Sequence, residues 1–387
     1  MSFKFGFNDD SDIELEDTIE ESSSTTTNNN NHNNNKYDLS ILNSSNNQFK
    51  LNSKLESLED IVDSMRGERL TYECINNDDE INNLLEINNF KLYKRELFDI
   101  KQQLMTEDND LVSGKQDSAG QDDDEFKILI GDIEEDLRKG VYEGGLKSWE
   151  CSNDLIKYLQ HYDQDQDIGK FNTIIDLGCG TSIPSIFIFI KLIKLNMIKD
   201  KTIILSDYNY NVLRLTTIPN LLINYYLNCL STQELIILQK KFSDHTGNIR
   251  DFEIDLTDNL IDNFLQFLSV NNIKIKLISG NWNLNFLEIV KESVDESSKI
   301  LCISSETIYS SDIIPIISIL LVNILKLNSQ FENKALVGCK DYYFGVGGSV
   351  LEFTKILNDL KKEYDFEFDV MKINSNLKRS IVCLHNI

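Results

Sequence analysis

Residues 174–184 read IIDLGCGTSIP, an apolar run that ends in an acid and is followed by a Gly-x-Gly turn and a helix start. Gly178 and Gly180 lack a Cβ, so the backbone of this turn can approach a ligand closely, and helix N-terminal amides lie just beyond it. In a doubly wound sheet this is the first crossover, where ligands bind at the carboxyl ends of the strands. Taken by themselves, the two glycines could instead form a tight strand-to-helix turn that binds no ligand.

A second acid follows the next apolar run. Asp207 ends the residues IILSD at 203–207, where a carboxylate can accept hydrogen bonds from ribose hydroxyls. Asp207 or Asn209 could instead cap the following helix. Asp176, the two glycines and Asp207 together favour a ligand site over a bare turn. Residues 182–184 (SIP) contain no third glycine, which argues against a dinucleotide.

Strand-like and helix-like stretches alternate from about residue 127 onward. We predict strands at 173–177, 202–206, 274–279, 299–304, 335–343, 366–373 and 380–384. We predict helices at 149–162, 183–196, 210–227, 312–327 and 350–364. The alternation predicts an α/β fold with a doubly wound, mostly parallel seven-stranded sheet. Only residues 374–378 separate the last two strands, which should therefore be antiparallel neighbours. Residues 234–239 fit a strand or a helix, and 258–268 look helical.

The net charge of −25, from 38 Lys and Arg against 63 Asp and Glu, is unevenly distributed. Residues 1–126 hold 29 acids and 11 bases, whereas residues 127–387 hold 34 acids and 27 bases. The first part includes the run SSSTTTNNNNHNNN at 22–35, which cannot bury apolar surface. We therefore predict an acidic, largely disordered N-terminal arm over 1–125, with some helix at 51–104, and a folded domain over 126–387.

The composition argues against several classes of function. A pI near 4.5 disfavours non-specific nucleic-acid binding, which needs basic surface. The seven cysteines and four histidines are scattered, so no metal site is predicted. The chain start lacks the apolar stretch of a signal peptide, and the apolar segment 313–327 is too short to span a bilayer. We expect a soluble, thiol-reduced monomer in the cytoplasm, with the nucleus as a second compartment.

Five further motifs lie at the predicted loops. They are GVYEGGLKSWEC at 140–151, SDYN at 206–209 with Pro219-Asn220 in the next helix, GNW at 280–282, SETIY at 305–309 and YYFGVGG at 342–348. Together with DLGCG at 176–180 they resemble the protein-histidine methyltransferase family, fungal type, among the seven-stranded S-adenosylmethionine-dependent methyltransferases. The resemblance covers residues 126–387 and the start FKFGF at 3–7.

The resemblance implies a Rossmann-like class I methyltransferase domain over 126–387. It also implies methyl transfer from S-adenosylmethionine to a histidine of a basic large-subunit ribosomal protein, without nucleic-acid or membrane contact. Cofactor contacts are expected from Trp149, Glu150, Cys151, Asp176, Gly178, Gly180, Asp207, Tyr208, Asn209, Gly280, Asn281, Trp282 and Ser305. Asn281 stands where the family often carries an acid, although its amide can still form hydrogen bonds. A lysine methyltransferase of the same fold and a non-catalytic binding module for a ribosomal protein are the alternatives.

The expected chemistry needs few catalytic groups. A neutral imidazole is already a nucleophile near pH 7, because its ordinary pKa is about 6.5. An acceptor for the imidazole N–H would fix the tautomer, and Glu306, Asn281 and Tyr309 are the candidates. Glu306 is the first choice, although it could instead be an acid at a helix start. Trp149 and Trp282 could contact the sulfonium, cover the adenine or pack in the core.

Overall fold

The computed structural model describes residues 37–43, 51–75, 91–112, 121–133, 135–162, 167–239, 252–374 and 377–387. The low-complexity run at 22–35 lies outside these residues, so the predicted disorder of the arm stays a prediction. In chain order the described strands are β1 (Lys54–Glu56), β2 (Arg69–Cys74), β3 (Tyr93–Arg95), β4 (Thr173–Leu177), β5 (Thr202–Asp207), β6 (Glu253–Asp255), β7 (Lys274–Ser279), β8 (Ile300–Ser305), β9 (Lys334–Lys340), β10 (Phe366–Ile373) and β11 (Arg379–Asn386).

The main sheet has eight strands in the order β1-β7-β5-β4-β8-β9-β11-β10. The five strands from β7 to β9 are parallel, and β1, β10 and β11 are antiparallel to their neighbours. The strand order reverses at β4, since β5 and β7 lie on one side of it and β8 and β9 on the other. This confirms the doubly wound sheet and the antiparallel final pair, and it places the ligand-binding switch point at the carboxyl end of β4.

Two sequence-based expectations about the strands need correction. The sheet has an eighth strand, because Lys54–Glu56 pairs with the outer edge of β7. A three-residue strand is too short to show an alternating pattern. Strand β9 ends at Lys340, three residues before the predicted end, and the Lys340 amide donates to the Tyr343 hydroxyl at 3.2 Å. A second, antiparallel sheet, β3-β2-β6, was not predicted either.

The described helices agree with the predicted ones to within a few residues and include several that were not predicted. They are α1 (Leu58–Ser64), α2 (Leu97–Val112), α3 (Gln121–Ile130), α4 (Glu150–Tyr162), α5 (Ile183–Lys194), α6 (Tyr210–Val212), α7 (Ile218–Cys229), α8 (Thr232–Leu238), α9 (Asp258–Val270), α10 (Leu284–Ser293), α11 (Ile313–Lys326) and α12 (Val350–Leu360). A π-turn (Leu213–Thr217) joins α6 to α7. The stretch 234–239 is helical up to Leu238, with Gln239 as the C-cap, and this helix starts with a capping box between Ser231 and Glu234.

The core lies on both faces of the main sheet, because successive strand residues point to opposite sides. Ile203 belongs to one apolar cluster and Ile204 to the other. The first cluster includes side chains from α4, α5, α7 and α9, and the second includes side chains from α10, α11 and α12. Helices therefore cover both faces, as a doubly wound sheet requires.

Side-chain amides of α7 attach the segment around β3. Asn224 donates to the Tyr93 carbonyl at 2.7 Å and accepts the Tyr93 amide at 3.0 Å. One turn later, Asn228 makes the same pair with Lys91, at 2.9 and 3.1 Å. The described residues from Tyr37 onward accordingly form one compact unit, which begins well before the boundary predicted at residue 126.

The π-turn brings a helix side chain to the glycine turn. Pro219 has no N–H to donate to the Leu215 carbonyl, and Arg95 donates to this carbonyl instead, at 3.1 Å. The widened helix places the Thr217 hydroxyl 2.7 Å from the Gly180 carbonyl. A π-turn at this point is thus part of what holds the predicted ligand site.

Candidate active site

The turn between β4 and α5 requires its two glycines. Gly178 and Gly180 have φ values of +66° and +51°, which residues with a Cβ rarely adopt. A Cβ at Gly178 would lie 2.7 Å from the Thr307 methyl carbon, and one at Gly180 would lie 3.0 Å from the Gly145 carbonyl oxygen. The backbone therefore passes close to two other loops, as expected for a ligand cradle.

Two buried carboxyl groups flank this turn. Asp207 accepts the Gly180 amide at 3.0 Å with one oxygen and the Asn209 amide at 3.1 Å with the other. Asp176 accepts the Ser185 hydroxyl at 2.7 Å. Burial outweighs these hydrogen bonds and raises the pKa of each carboxyl to about 7. A ligand that brings positive charge or hydroxyl donors would compensate the cost of burying the charged forms.

The glycine-rich motif before α4 lies over the end of β5. The Tyr208 hydroxyl donates to the Gly140 carbonyl at 3.1 Å, and the Asn209 amide group donates to the Val141 carbonyl at 2.7 Å. Asn209 also accepts the Glu143 amide at 3.1 Å. Asn209 occupies the N-cap position of α6, but its side chain makes no capping bond. The side chain of Asn209 thus positions the motif.

The segment that leads into β1 holds the loop after β7. Gly280 has a φ of +96°, and a Cβ there would lie 2.3 Å from the Asn52 carbonyl oxygen. The Asn281 amide donates to the Leu51 carbonyl at 3.0 Å. This contact fixes the backbone beside Trp282, so the N-terminal segment shapes a loop that the sequence assigned to the ligand site.

These loops enclose one cavity, the main cavity, at the carboxyl ends of the central strands. Its empty space is about 890 Å³, open mouth included, which suits a small-molecule ligand. Most of the predicted site residues line it: Trp149, Asp176, Gly178, Gly180, Asp207, Tyr208, Gly280, Asn281, Trp282, Ser305, Glu306 and Tyr309.

Three predicted residues do not line the main cavity. Asn209 holds the glycine-rich motif, as described above. Cys151 is fully buried, and its amide donates to a Glu306 carboxylate oxygen at 3.3 Å. Glu150 is exposed and pairs with Lys340 at 3.0 Å. Cys151 thus contacts a residue of the cavity wall without lining the cavity, and Glu150 contacts Lys340.

Several residues of the cavity wall were not predicted individually. They are Glu143, Gly144, Gly145, Lys147, Ser152, Cys179, Thr181, Pro184, Thr307, Ile313 and Ile316. Some of them lie in the motif at 140–151, which the sequence did single out. Their placement depends on contacts such as that of Gly145 with Asp207, whose Oδ2 would lie 3.1 Å from a Cβ at Gly145. Local sequence patterns do not report contacts of this kind.

Glu306 combines backbone strain with an unsatisfied buried oxygen. Its φ is +59°, and its amide donates to the Gly338 carbonyl at 2.8 Å. One carboxylate oxygen accepts the Cys151 amide, whereas Oε2 is buried without a hydrogen-bond partner. Because α11 begins at Ile313, Glu306 is not an acid at a helix start. Strain and an open acceptor at one residue indicate a functional group.

Tyr309 is engaged with a carboxylate on the opposite motif. Its hydroxyl donates to Glu143, which also accepts the Gly140 amide at 2.6 Å. Burial, together with the Glu143 carboxylate, raises the pKa of Tyr309 well above its ordinary value. Burial likewise raises the pKa of Glu143. Tyr309 therefore keeps its proton and offers a ligand only its oxygen lone pairs.

The two tryptophans both reach the main cavity. Trp282 is 8% exposed and belongs to an apolar cluster, and its ring lies 3.5 Å from the Cβ position of Gly178. Trp282 therefore both packs in the core and lines the main cavity. The Trp149 indole donates to the Gly144 carbonyl at 3.2 Å, and the Lys340 ammonium lies 5.3 Å from the centre of its ring.

Within the described ranges, no three His, Cys, Asp or Glu side chains are grouped so that they could hold a metal ion. In the same part of the chain, no helix combines the length and the apolar character needed to cross a membrane.

Several known proteins are similar to this chain in amino-acid sequence. No family model matches it. Histidine protein methyltransferase 1 of Saccharomyces cerevisiae is 38% identical over 393 residues, covering 99% of this chain and 98% of the relative. The protein of the same name from Schizosaccharomyces pombe is 34% identical over 289 residues, 75% of each chain.

Among solved structures, an O-methyltransferase from Bacillus cereus in complex with SAH gives a TM-score of 0.37 at 8% identity. The match covers 71% of this chain and 93% of that one. The two yeast relatives exceed 30% identity over three quarters or more of both chains. The chain belongs to the histidine protein methyltransferase 1 family.

Proposed function

We propose that this protein transfers a methyl group from S-adenosylmethionine to an imidazole nitrogen of a histidine in a basic large-subunit ribosomal protein. We place this reaction in the cytoplasm, with the nucleus as a second compartment. The observation that carries the proposal is the buried Oε2 of Glu306, which accepts no hydrogen bond and lies in the wall of the main cavity. Membership of the histidine protein methyltransferase 1 family supports it.

The main cavity has the chemical features that S-adenosylmethionine needs. The cofactor carries a sulfonium, an ammonium group and two ribose hydroxyls, and Asp176 and Asp207 offer buried carboxylates to such groups. Gly178 and Gly180 keep the turn free of side chains. Trp282 presents an aromatic ring, which attracts cations. When bound, the cofactor supplies an electrophilic methyl group.

A second cavity, the side cleft, adjoins the main cavity and suits the acceptor. It has about 1120 Å³ of empty space and shares four wall residues with the main cavity: Glu143, Trp149, Glu306 and Tyr309. The exposed rings of Tyr342 and Phe344 lie at its edge, with centroids 4.9 Å apart. Methyl transfer requires donor and acceptor to be held close and in line, and a common wall supports this.

Glu306 would act on the acceptor imidazole. Oε2, which accepts no hydrogen bond within the protein, can accept the N–H of the neutral ring, which leaves the lone pair on the other nitrogen for attack. Positive charge develops on the ring as the new N–C bond forms and the bond between sulfur and the methyl carbon breaks, with S-adenosylhomocysteine as the leaving group. The preorganised carboxylate of Glu306 would stabilise that charge. The methylated imidazolium then loses its remaining N–H proton to solvent. No nucleophilic side chain of the protein is required.

The proposal is tested with purified protein, labelled S-adenosylmethionine and isolated large-subunit ribosomal proteins. We expect label on a histidine of one basic protein. The control is Gly178→Arg, whose side chain would collide with the loop at Thr307 and should abolish both cofactor binding and labelling. Label on lysine alone would indicate the lysine methyltransferase. Tight substrate binding that survives Gly178→Arg, without labelling by the wild type, would indicate a non-catalytic binding module.

A further inference from the structure

Lys340 places a fixed positive charge beside the wall that the main cavity and the side cleft share. It is the last residue of β9, its side chain is 16% exposed, and it lines the side cleft. Its ammonium nitrogen lies 3.0 Å from the Glu150 carboxylate and 3.6 Å from Oε2 of Glu306. The same nitrogen lies 5.3 Å from the centre of the Trp149 ring.

These contacts keep the ammonium charged in a partly buried position. Burial alone would lower the pKa of Lys340, but the carboxylates of Glu306 and Glu150 outweigh it and raise that pKa. The ring of Trp149 adds a cation–π contact on another side. The charge is therefore held in place by two acids and a ring instead of moving freely in solvent.

We propose that Lys340 is a specificity-determining residue that makes the site select a neutral imidazole and reject cationic acceptors. The inference rests on the proposed histidine methylation and adds to it the electrostatic basis of acceptor choice. Glu306 alone would attract any cation, including a lysine ammonium or a protonated histidine. Neither of these has the lone pair that attack on a methyl group needs.

The distance supports a direct effect on the acceptor. A ring nitrogen that donates to Oε2 of Glu306 at about 2.9 Å lies no more than about 6.5 Å from the Lys340 nitrogen, which is 3.6 Å from that oxygen. A positive charge at this range disfavours a second positive charge and lowers the pKa of the bound imidazole. A lysine ammonium at the same position would meet the same repulsion. The N–H of a neutral ring would not.

The other titratable neighbours of Lys340 do not supply a competing free charge. Burial raises the pKa of the Cys151 thiol and of the Tyr343 hydroxyl, so both are neutral near pH 7. Further charged groups near Lys340 are paired with each other: Arg379 of β11 with Asp154 of α4 at 2.6 Å, and Lys372 of β10 with Asp341 at 2.8 Å. Glu150 and Glu306 are thus the described charged groups that bind Lys340 directly.

The test compares Lys340→Met, which removes the charge, with Lys340→Arg, which retains it. The acceptor is the peptide that carries the histidine labelled by the wild-type protein. With Lys340→Met we expect the acidic limb of the pH profile of kcat, which reports the pKa of the bound imidazole, to move up by about one pH unit. With Lys340→Arg it should stay within a few tenths of a unit. Calorimetry with S-adenosylhomocysteine would establish that both variants still fold and bind at the main cavity.

A binding experiment provides a second readout that does not depend on catalysis. The same peptide with lysine in place of the histidine is titrated into each protein saturated with S-adenosylhomocysteine. It should bind Lys340→Met about tenfold more tightly than the wild type, because one pKa unit corresponds to a factor of ten. Lys340→Arg should resemble the wild type.

If the wild type methylates histidine, two results would overturn the inference about Lys340 and leave the proposed function standing. They are an unmoved acidic limb in Lys340→Met and equal affinity of the lysine peptide for all three proteins. A merely structural role would lower kcat in both variants without moving the limb. If the wild type labels no histidine, the proposed function fails and the inference fails with it.

Discussion

The carboxylate of Asp207, at the end of β5, accepts the amide proton of Gly180, in the turn after β4, at 3.0 Å. One buried acid thus joins the two neighbouring loops at the switch point of the sheet. The same carboxylate lies in the wall of the main cavity together with Asp176, and no basic side chain is hydrogen-bonded to either acid in the described structure. Both acids are therefore available to a cationic, hydroxyl-bearing ligand.

Cofactor affinity should depend on pH through these two acids. In the free protein burial raises their pKa values to about 7, so protonated forms accumulate as pH falls below 7. A bound cation favours the charged forms, so binding must release these protons. We expect affinity for S-adenosylmethionine to weaken as pH falls from 8 to 6, by up to about tenfold per unit for each acid. Calorimetry across this range measures it.

Asp207→Asn provides the matched control for the pH series. The amide oxygen can still accept the Gly180 amide, but the group no longer titrates. Its affinity should be weaker at pH 8 and should change less with pH than that of the wild type. Equal dissociation constants for the wild type at pH 6 and pH 8 would contradict the assignment of the two acids to the cofactor.

The segment before β1 should control cofactor binding although it does not line the main cavity. Gly280→Ala places a Cβ 2.3 Å from the Asn52 carbonyl oxygen, so the loop carrying Asn281 and Trp282 must shift. We expect at least about tenfold weaker cofactor binding and a loss of roughly 1–3 kcal/mol in the free energy of unfolding. Calorimetry and chemical denaturation measure the two effects.

Gly67→Ala is the control that separates the effect of backbone strain from the effect of the collision with Asn52. Gly67 has a φ of +81°, but nothing lies within 4 Å of its Cβ position. This variant should lose stability and retain cofactor affinity. If Gly280→Ala binds the cofactor as well as Gly67→Ala does, the proposed link between the N-terminal segment and the site is incorrect.

Glu306→Gln should impair the chemical step more than binding. The amide keeps the shape of the side chain but loses the negative charge that stabilises the developing imidazolium. We expect kcat to fall about 100-fold, with little change in cofactor affinity. Glu150→Gln, which alters the exposed carboxylate bound to the same Lys340, should lose far less activity. Comparable losses in the two variants would argue against a direct role for Glu306.

The acidic residues before Tyr37 are expected to recruit the basic substrate. Residues 8–36 contain eight acids and one base. A deletion should end there, because Leu42 is 2% exposed and packs in the core. Deleting 8–36 should raise KM for the protein substrate at low ionic strength, and the difference should shrink at high salt as charges are screened. An unchanged KM at low salt would assign these residues no part in recruitment.

The sequence predicted those features that local patterns encode. The apolar runs around Ile175 and Ile204 alternate with long amphipathic stretches, and this alternation was enough to predict the parallel sheet and its switch point. The acids and glycines of the main cavity follow directly from the ends of those strands. Lys54–Glu56 and Glu253–Asp255 are three residues long, and they become strands only through distant partners.

The roles of individual site residues were harder to predict, because they depend on contacts between distant parts of the chain. Glu143 meets Tyr309 across 166 positions, and Cys151 meets Glu306 across 155. Asn209 follows a strand, which is where a residue that binds ribose would be expected. Its side chain instead binds the motif before α4. Such pairings appear only once the loops are brought together.

Mass spectrometry of ribosomal proteins from cells provides the decisive test of histidine methylation. Cells that contain this protein are compared with cells that lack it and with cells that carry Gly178→Arg. We expect one methylated histidine in a large-subunit protein, present in the first cells and absent from the other two. A histidine methylated equally in all three, or a methyl group lost only from lysine, would contradict this expectation.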